Sequence, residues 1–412
     1  MQYVNSSLYD TLLAPHPKGD APPMPALEQA LEDLVIIELS SILAGPAVGM
    51  FFAELGSTVI KVENAKTRGD ATRNWKIPAE DSDADISSYF SSVNWGKRSI
   101  ALDIASPEGR QTVYDLVAKA DIVIQSYKPG DEKKLRVDYD SLKAINPRII
   151  LGQVTAYGPN DPRPGLDAII QAESGFTYLN GEPDGPPTKM PVALVDLLLA
   201  HQLKEGLLLA LLKRQLTGEG ACVQTSLLKC ATASLANQAT NWLMAGVVPQ
   251  RMGSEHPNIA PYSTVLETKD GRQIIVAPAT QSQFETTLAV FRIEELKDDP
   301  RFESNRQRVI HRAELIPYLR DAVSKLESAN LARELREKRI SFGFVNAMDQ
   351  VFEQPESASL IVEETLPDGS TIRGMRTIAI DGTLADFNRP LTPPPHFNAD
   401  EEFVRKDFLN DR

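Results

Sequence analysis

Two cysteines in 412 residues, Cys222 and Cys230, exclude a disulfide scaffold, and their spacing is not that of a CxxC redox or zinc motif. A reducing compartment with two buried thiols is the expectation. The five histidines (His16, His201, His256, His311, His396) are scattered, with no HExxH and no pair at metal-ligand spacing, so no metal is expected. Long apolar runs are missing too. The most apolar stretch, Val192 to Leu212, is broken by Asp196, His201, Gln202, Lys204 and Glu205, which fails the roughly 20 apolar residues of a membrane helix. Excess positive charge is absent: 43 Lys and Arg stand against 56 Asp and Glu, a net charge of −13 that disfavours nucleic acid as a partner. An anionic ligand must therefore be met by locally gathered cations. The N-terminal stretch has neither a basic region followed by an apolar core nor the Arg-rich character of a transit peptide. Cytoplasm is the expected compartment.

What is present is an alternation. The runs Leu34–Leu39, Ser57–Glu63, Arg98–Ile104, Asp121–Tyr127 and Pro147–Ala156 have the continuous apolar character of buried parallel strands. Between them lie helical patterns: one around Pro46 stopped by Gly56, and one opened by Ser106-Pro107 and running to about Lys119. This predicts an α/β fold with a Rossmann-like parallel sheet. The first strand is followed by SSILAGPAVG and not by GxGxxG, and no GxxxxGK[ST] occurs, which disfavours a nicotinamide dehydrogenase or a P-loop enzyme. Leu197–Gln215 reads as a long helix and Leu227–Ala245 as another. A smaller α+β unit follows, with a hairpin of Tyr262–Thr268 and Arg272–Val276 around KDG and helices near Ser282–Phe291, Gln307–Leu326 and Ser328–Lys338. A second hairpin is expected within Leu360–Ala379 around PDGS, then a Pro-rich stretch and a short terminal helix. The expected divisions are an N-terminal arm (1–27), a large domain (28–225), a helical linker (226–249), a small domain (250–345) and a C-terminal segment (346–412) that returns to the large one.

Asp196 is the residue that asks for an explanation, a carboxylate inside the apolar run PVALVDLLLAHQL. As the N-cap of a helix beginning at Leu197 it needs no further role. The helix N-terminus would also hold it ionised, as a carboxylate nucleophile requires. A wider set of motifs bears on the choice. LAGPAVGMFFAELGSTVIKVE, GDATRNW, NWGKRSIALDIASPEGR, ADIVIQSYKPG, RPGLDAIIQAESG and GEPDGPPTKMPVALVDLL appear in order from Leu31 onward, with KRQLTGEGACVQTSLL, GSEHPNIAPYSTV and DDPRFESNRQRVIHR after them. Through these the chain resembles the class III CoA-transferases, which include formyl-CoA, carnitine and succinate–hydroxymethylglutarate CoA-transferases. The resemblance implies that Asp196 is the nucleophile. It places coenzyme A, as a substrate with no resident cofactor, against Leu43, Ala44, Leu102, Ser126, Tyr127, Lys128, Lys134 and Leu135. Arg68, Arg73, Lys97 and Arg98 are further candidates for its phosphates. The acyl donor would be a short acyl-CoA such as succinyl-CoA and the acceptor a small carboxylic acid. The assembly implied is a homodimer of two interlocked ring-like chains.

Some positions depart from the family pattern. Asn64 and Ala105 stand where cations are common, and Leu43 replaces the Gln of formyl-CoA transferase, whose glycine-rich loop is also absent here. A related class, the α-methylacyl-CoA racemases, carries a His before the Asp of its PG-x-D stretch; this chain has Pro164-Gly165-Leu166-Asp167, and leucine cannot move a proton. An acyl-CoA-binding relative without turnover is a third reading. Asp167 is left with three roles of equal weight: bonding the nucleophile region, meeting the pantetheine arm, or capping the helix it opens. His256 either approaches the acyl group or is a structural loop histidine, and Arg251 is the candidate for a second substrate carboxylate.

Overall fold

The computed structural model describes residues 27–366, 369–382 and 387–409. The expected N-terminal arm falls outside these residues except for Leu27, and so do Pro367 and Asp368 of the PDGS turn. Six strands form one parallel sheet: β1 (Val35–Leu39), β2 (Thr58–Asn64), β3 (Arg98–Leu102), β4 (Ile122–Gln125), β5 (Ile150–Thr155) and β6 (Ala221–Ser226), in the order 3-2-1-4-5-6. That order is the one associated with dinucleotide-binding sheets. The five apolar runs seen in the sequence each form a strand, with bounds that shift by up to three residues at the ends. The sixth strand was not foreseen. Its sequence, ACVQTS, is half polar, and it lies at the sheet's edge with most residues only partly covered.

Two apolar cores cover the two faces of the sheet. On one face lie α1 (Ala44–Glu54) and the long helices that follow β5; on the other lies α2 (Pro107–Lys119), begun by Ser106, whose Oγ accepts from the Gly109 N–H at 2.9 Å. Pro46 is the third residue of α1 and not the first, which costs nothing because no first-turn N–H has an intrahelical partner. Among the further helices of this unit are α3 (Asp167–Glu173), α4 (Leu194–Thr217) and α5 (Leu227–Ala233), with α6 (Ala236–Ala245) beyond. The expected single helix Leu227–Ala245 is thus two. Ser234 Oγ bonds back to the Cys230 carbonyl at 2.8 Å and Ala236 takes a φ of 47°, so the helical ladder is interrupted there.

A second, smaller core contains Leu266, Phe284, Leu288, Phe302, Leu319 and Leu335. It is built on the antiparallel strands β7 (Val265–Glu267), β8 (Gln273–Val276) and β9 (Phe342–Phe344) and the helices packed on them. The expected helix Gln307–Leu326 breaks at His311, whose ring bonds Glu314 at 2.8 Å in the first turn of the following piece. The chain then returns to the large sheet. Strands β10 (Ile361–Thr365) and β11 (Thr371–Met375) pair antiparallel, and Val362 and Leu391 pack with Met50 and Trp95. Glu54 accepts from the N–H groups of Thr377 and Ile378 at 2.8 and 3.0 Å. Near its end the chain seals the outer strand: Ser99 N–H donates to Asp400 (2.8 Å), Ala101 N–H to Asn398 (2.7 Å), and Asp400 N–H to the Ser99 carbonyl (3.0 Å). Among the described residues no helix is long and apolar enough to cross a membrane.

Candidate active site

The strand order reverses between β1 and β4, and a cavity of about 360 Å³ opens there, at the carboxyl ends of β1, β4 and β5. Its walls are the loops Ser41–Gly45, Ser126–Pro129, Val154–Ala156 and Arg163–Leu166, with Asp196 and Leu227. Leu43, Ala44, Ser126, Tyr127 and Lys128 are therefore brought together with Asp196, although 153 positions separate Leu43 from it in the chain.

Asp196 is not the helix cap. Helix α4 begins at Leu194, two residues before it, and Ala193 at the cap position offers no side-chain bond. The cap comes from elsewhere in the fold: Asp167 Oδ1 accepts the Val195 N–H at 2.8 Å. Gln171 steadies that carboxylate by donating to Oδ2 at 2.7 Å, and its own carbonyl oxygen accepts from Met190 N–H at 2.8 Å. Asp167 thus bonds the backbone beside Asp196. Leu166, and not Asp167, occupies the cap position of α3.

The Asp196 side chain is 6% exposed, and among the described residues its carboxylate accepts no hydrogen bond. Burial, and after it the charge of Asp167, raises its pKa to about 7. The expectation that the helix N-terminus keeps it fully ionised is thus reversed, because desolvation and a like charge outweigh the helix dipole. A more basic carboxylate is a stronger nucleophile once ionised, so in the nucleophile role that the resemblance implies Asp196 would trade ionised fraction for reactivity. In that role the expected result is a kcat/KM that rises with pH through an apparent pKa near 7 as Asp196 loses its proton. In Asp167→Asn, where the neighbouring charge is gone, that limb should move to lower pH; a pH–rate series on both proteins checks it, and an unmoved limb would disconnect Asp167 from the profile.

Other expected contacts lie elsewhere. Arg73 is 2% exposed, donates to both Glu63 oxygens at 2.9 and 2.6 Å and to the Pro395 carbonyl at 3.1 Å, and stacks on Phe90. Lys97, also 2% exposed, donates to Glu38 (2.7 Å), the Pro46 carbonyl (2.8 Å) and Asn94 (2.9 Å). No face of either cation remains for a phosphate. Arg98 sits at the amino end of β3, about 13 Å of extended chain from the carboxyl end; it pairs with Asp400 and stacks on Phe403. Arg68 is exposed on the loop after β2, Leu102 is buried at the end of β3, Lys134 is exposed and pairs with Asp131, and Leu135 packs on the core under α2 on one face of the sheet. None of these lines the Asp196 cavity.

Arg251 donates to the Tyr178 carbonyl at 3.0 Å and lines a separate depression of about 570 Å³ with Glu182, Glu255 and Arg312. His256 accepts from Asn258 N–H at 3.1 Å and meets the Tyr262 ring edge-on, as a structural loop histidine does. Two residues near the site were not foreseen. Arg163 lines the cavity, held by Asp161 and stacked on Tyr157. Tyr89 has its phenol pKa raised by burial and then by the charges of Asp196 and Asp167, which marks it as their neighbour. For Arg163 the flanking Pro164-Gly165 turn was a signal; for Tyr89 there was none.

The family model described as CoA-transferase family III matches residues 31–401. Succinate–glutarate CoA-transferase of Agrobacterium fabrum is 35% identical over 376 residues, which cover 89% of this chain and 93% of that protein. Human succinyl-CoA:glutarate CoA-transferase is 32% identical, with 92% of this chain and 86% of that protein covered. Among solved structures, a CAIB/BAIF family protein from Brucella suis superposes with a TM-score of 0.79 at 36% identity, over 92% of this chain and 99% of that one.

Proposed function

Since the chain belongs to CoA-transferase family III, we propose that it moves coenzyme A from succinyl-CoA, or a similar short acyl-CoA, to a small mono- or dicarboxylic acid, with Asp196 as the nucleophile. The observation that carries this reading is the buried, unpartnered carboxylate in a cavity whose lining contains no histidine. The histidine that the racemases pair with their Asp is missing from this lining, which favours transfer over isomerisation.

In the proposed cycle the Asp196 carboxylate attacks the thioester carbon, the C–S bond breaks, and an acyl–aspartyl anhydride and CoA thiolate result. The thiolate attacks the aspartyl carbonyl and expels the donor acid as its carboxylate, leaving an Asp196–CoA thioester. The acceptor carboxylate attacks that thioester and releases the thiolate. The thiolate then attacks the acceptor's carbonyl in the new anhydride and frees Asp196. One thioester replaces another, so the exchange requires no energy source. Succinate and glutarate in the relatives' names support a dicarboxylate at one position. Lys128 and Arg163, both at the cavity, are the cations available to the anionic groups of the substrates. The test is a mass-spectrometric screen of acyl-CoA donors against a panel of acids, with hydroxylamine trapping at Asp196. Deuterium exchange at the α-carbon of a branched acyl-CoA, with no acid accepting CoA, would replace this reading by the isomerase.

The interlocked homodimer belongs to the same proposal. Leu209, Leu212 and Leu216 on α4 and Trp242, Leu243 and Met244 on α6 are large apolar side chains about half exposed or more, a surface that single chains rarely leave to water. Leu243→Asp combined with Met244→Asp is expected to replace the dimer in sedimentation by aggregated or unfolded chain, because an interlocked pair leaves no stable folded monomer. A variant that stays dimeric would separate this surface from assembly.

A further inference from the structure

The loop from β1 into α1 contains a strained residue. Ile42 has a φ of 73°, the left-handed region that a β-branched side chain enters only under constraint. The constraint is visible. Ile42 N–H donates to both oxygens of Asp70, at 3.2 and 3.1 Å. Asp70 is 4% exposed and pairs at 3.0 Å with Lys61, itself 1% exposed. The same ammonium donates to the Ser40 carbonyl at 2.9 Å and pairs with Glu38 at 2.8 Å. One buried cation therefore grips the loop directly at Ser40 and through Asp70 at Ile42. Burial by itself would raise the Asp70 pKa, but Lys61 and the bonds from Thr72 outweigh it and hold the carboxyl below its ordinary range.

The strained loop forms one wall of the Asp196 cavity. Helix α1, eleven residues long, starts there with Leu43 at the cap position and no side-chain cap. Among the described residues the N–H groups of Leu43, Ala44 and Gly45 have no acceptor, as the geometry of a helix start leaves them. Ser40 Oγ beside them, also buried, has no partner. Unused donors and the unpartnered carboxylate of Asp196, a residue only 6% exposed, thus share one small cavity. Each tetrahedral step of CoA transfer generates an oxyanion next to that carboxylate, which already carries the negative charge the site must tolerate.

We infer that Asp70, bridged to Lys61, is a positioning residue for catalysis: it holds Ile42 in the left-handed conformation so that the N–H groups at the start of α1 face the oxyanion formed at Asp196. The inference rests on the transferase reading. Asp70 touches no substrate and acts through the loop. Glycine takes a positive φ without strain, so it should keep the loop's shape when the tether is gone. Proline has neither the N–H nor access to that φ.

The experiment measures kcat and KM for succinyl-CoA in four full-length proteins. Asp70→Ala is expected to lower kcat by about 10- to 100-fold, below the full loss of an oxyanion donor, with KM changed less than about threefold. Asp70→Ala with Ile42→Gly should recover at least about tenfold of that loss, which lost packing at Asp70 would not do. Ile42→Pro should lower kcat as Asp70→Ala does, and it tests the loop even if Asp70→Ala does not fold. A wild type that transfers CoA beside an Ile42→Pro of unchanged kcat would overturn the inference and leave the transferase reading standing. A double variant as slow as Asp70→Ala would overturn it too. A wild type that transfers no CoA to any acid defeats the underlying reading instead.

Discussion

Asp196→Ala and Asp196→Asn should each lower CoA transfer by at least about 10³-fold, as the loss of a covalent nucleophile does, while the protein stays folded. Neither replacement can form an anhydride, and the cavity lining holds no other carboxylate to take its place. The same change should stabilise the protein above neutral pH, and the sign is definite. The native pKa, about 7, lies above the ordinary 3.8, so the native state binds the proton more tightly than the unfolded chain does. That stabilisation is complete below about pH 4 and is lost as pH rises through 7, where the buried charge must be carried without a partner. Asp196→Asn carries no such charge. Unfolding free energies from urea titrations should separate the variant from the wild type more at pH 8 than at pH 5, by up to about a few kcal/mol. Residual transfer near the wild-type rate would remove Asp196 from the mechanism.

Glu38→Ala is expected to cost about 3 to 5 kcal/mol, the range for removing one partner of a buried ion pair. Glu38 is wholly buried, with one oxygen on Lys61 at 2.8 Å and the other on Lys97 at 2.7 Å. Its loss leaves two buried ammonium groups sharing the interior with one fewer anion. Lys61 keeps Asp70, and Lys97 keeps only neutral acceptors. Glu38→Gln retains the shape and some of the hydrogen bonds and should cost less than Glu38→Ala. A denaturation midpoint unchanged in Glu38→Ala would remove this ion-pair cluster from the protein's stability.

The central sheet was legible because parallel strands buried on both faces must be continuous apolar runs, and five such runs stood out between helical patterns. β6 was hidden by its edge position, where Gln224 and Thr225 are tolerated. Asp196 was legible as an anomaly, a charge in an apolar run, but its setting was not. A local reading naturally makes the first polar residue the cap, whereas the acceptor for Val195 N–H comes from Asp167, 28 positions earlier. Two of the cations, Arg73 and Lys97, were misread for a related reason. A basic residue next to a strand looks the same whether it faces a phosphate or a carboxylate on the adjacent strand. The clue lay in the strands themselves: Glu38 and Glu63 are charges inside runs that are otherwise apolar, and such groups require partners. Arg73 and Lys97 are those partners.

The sealing of β3 by Asn398 and Asp400 has a temporal side. β3 is finished at Leu102, yet the side chains that occupy the N–H groups of Ala101 and Ser99 come 297 and 301 positions later. During synthesis that whole length must follow while the ladder of donors and acceptors stands open to whatever strand passes, another nascent copy included. Closure of the sheet's edge therefore lags far behind the making of the strand it protects, and a message truncated shortly before Asn398 would yield a product with a sticky flank.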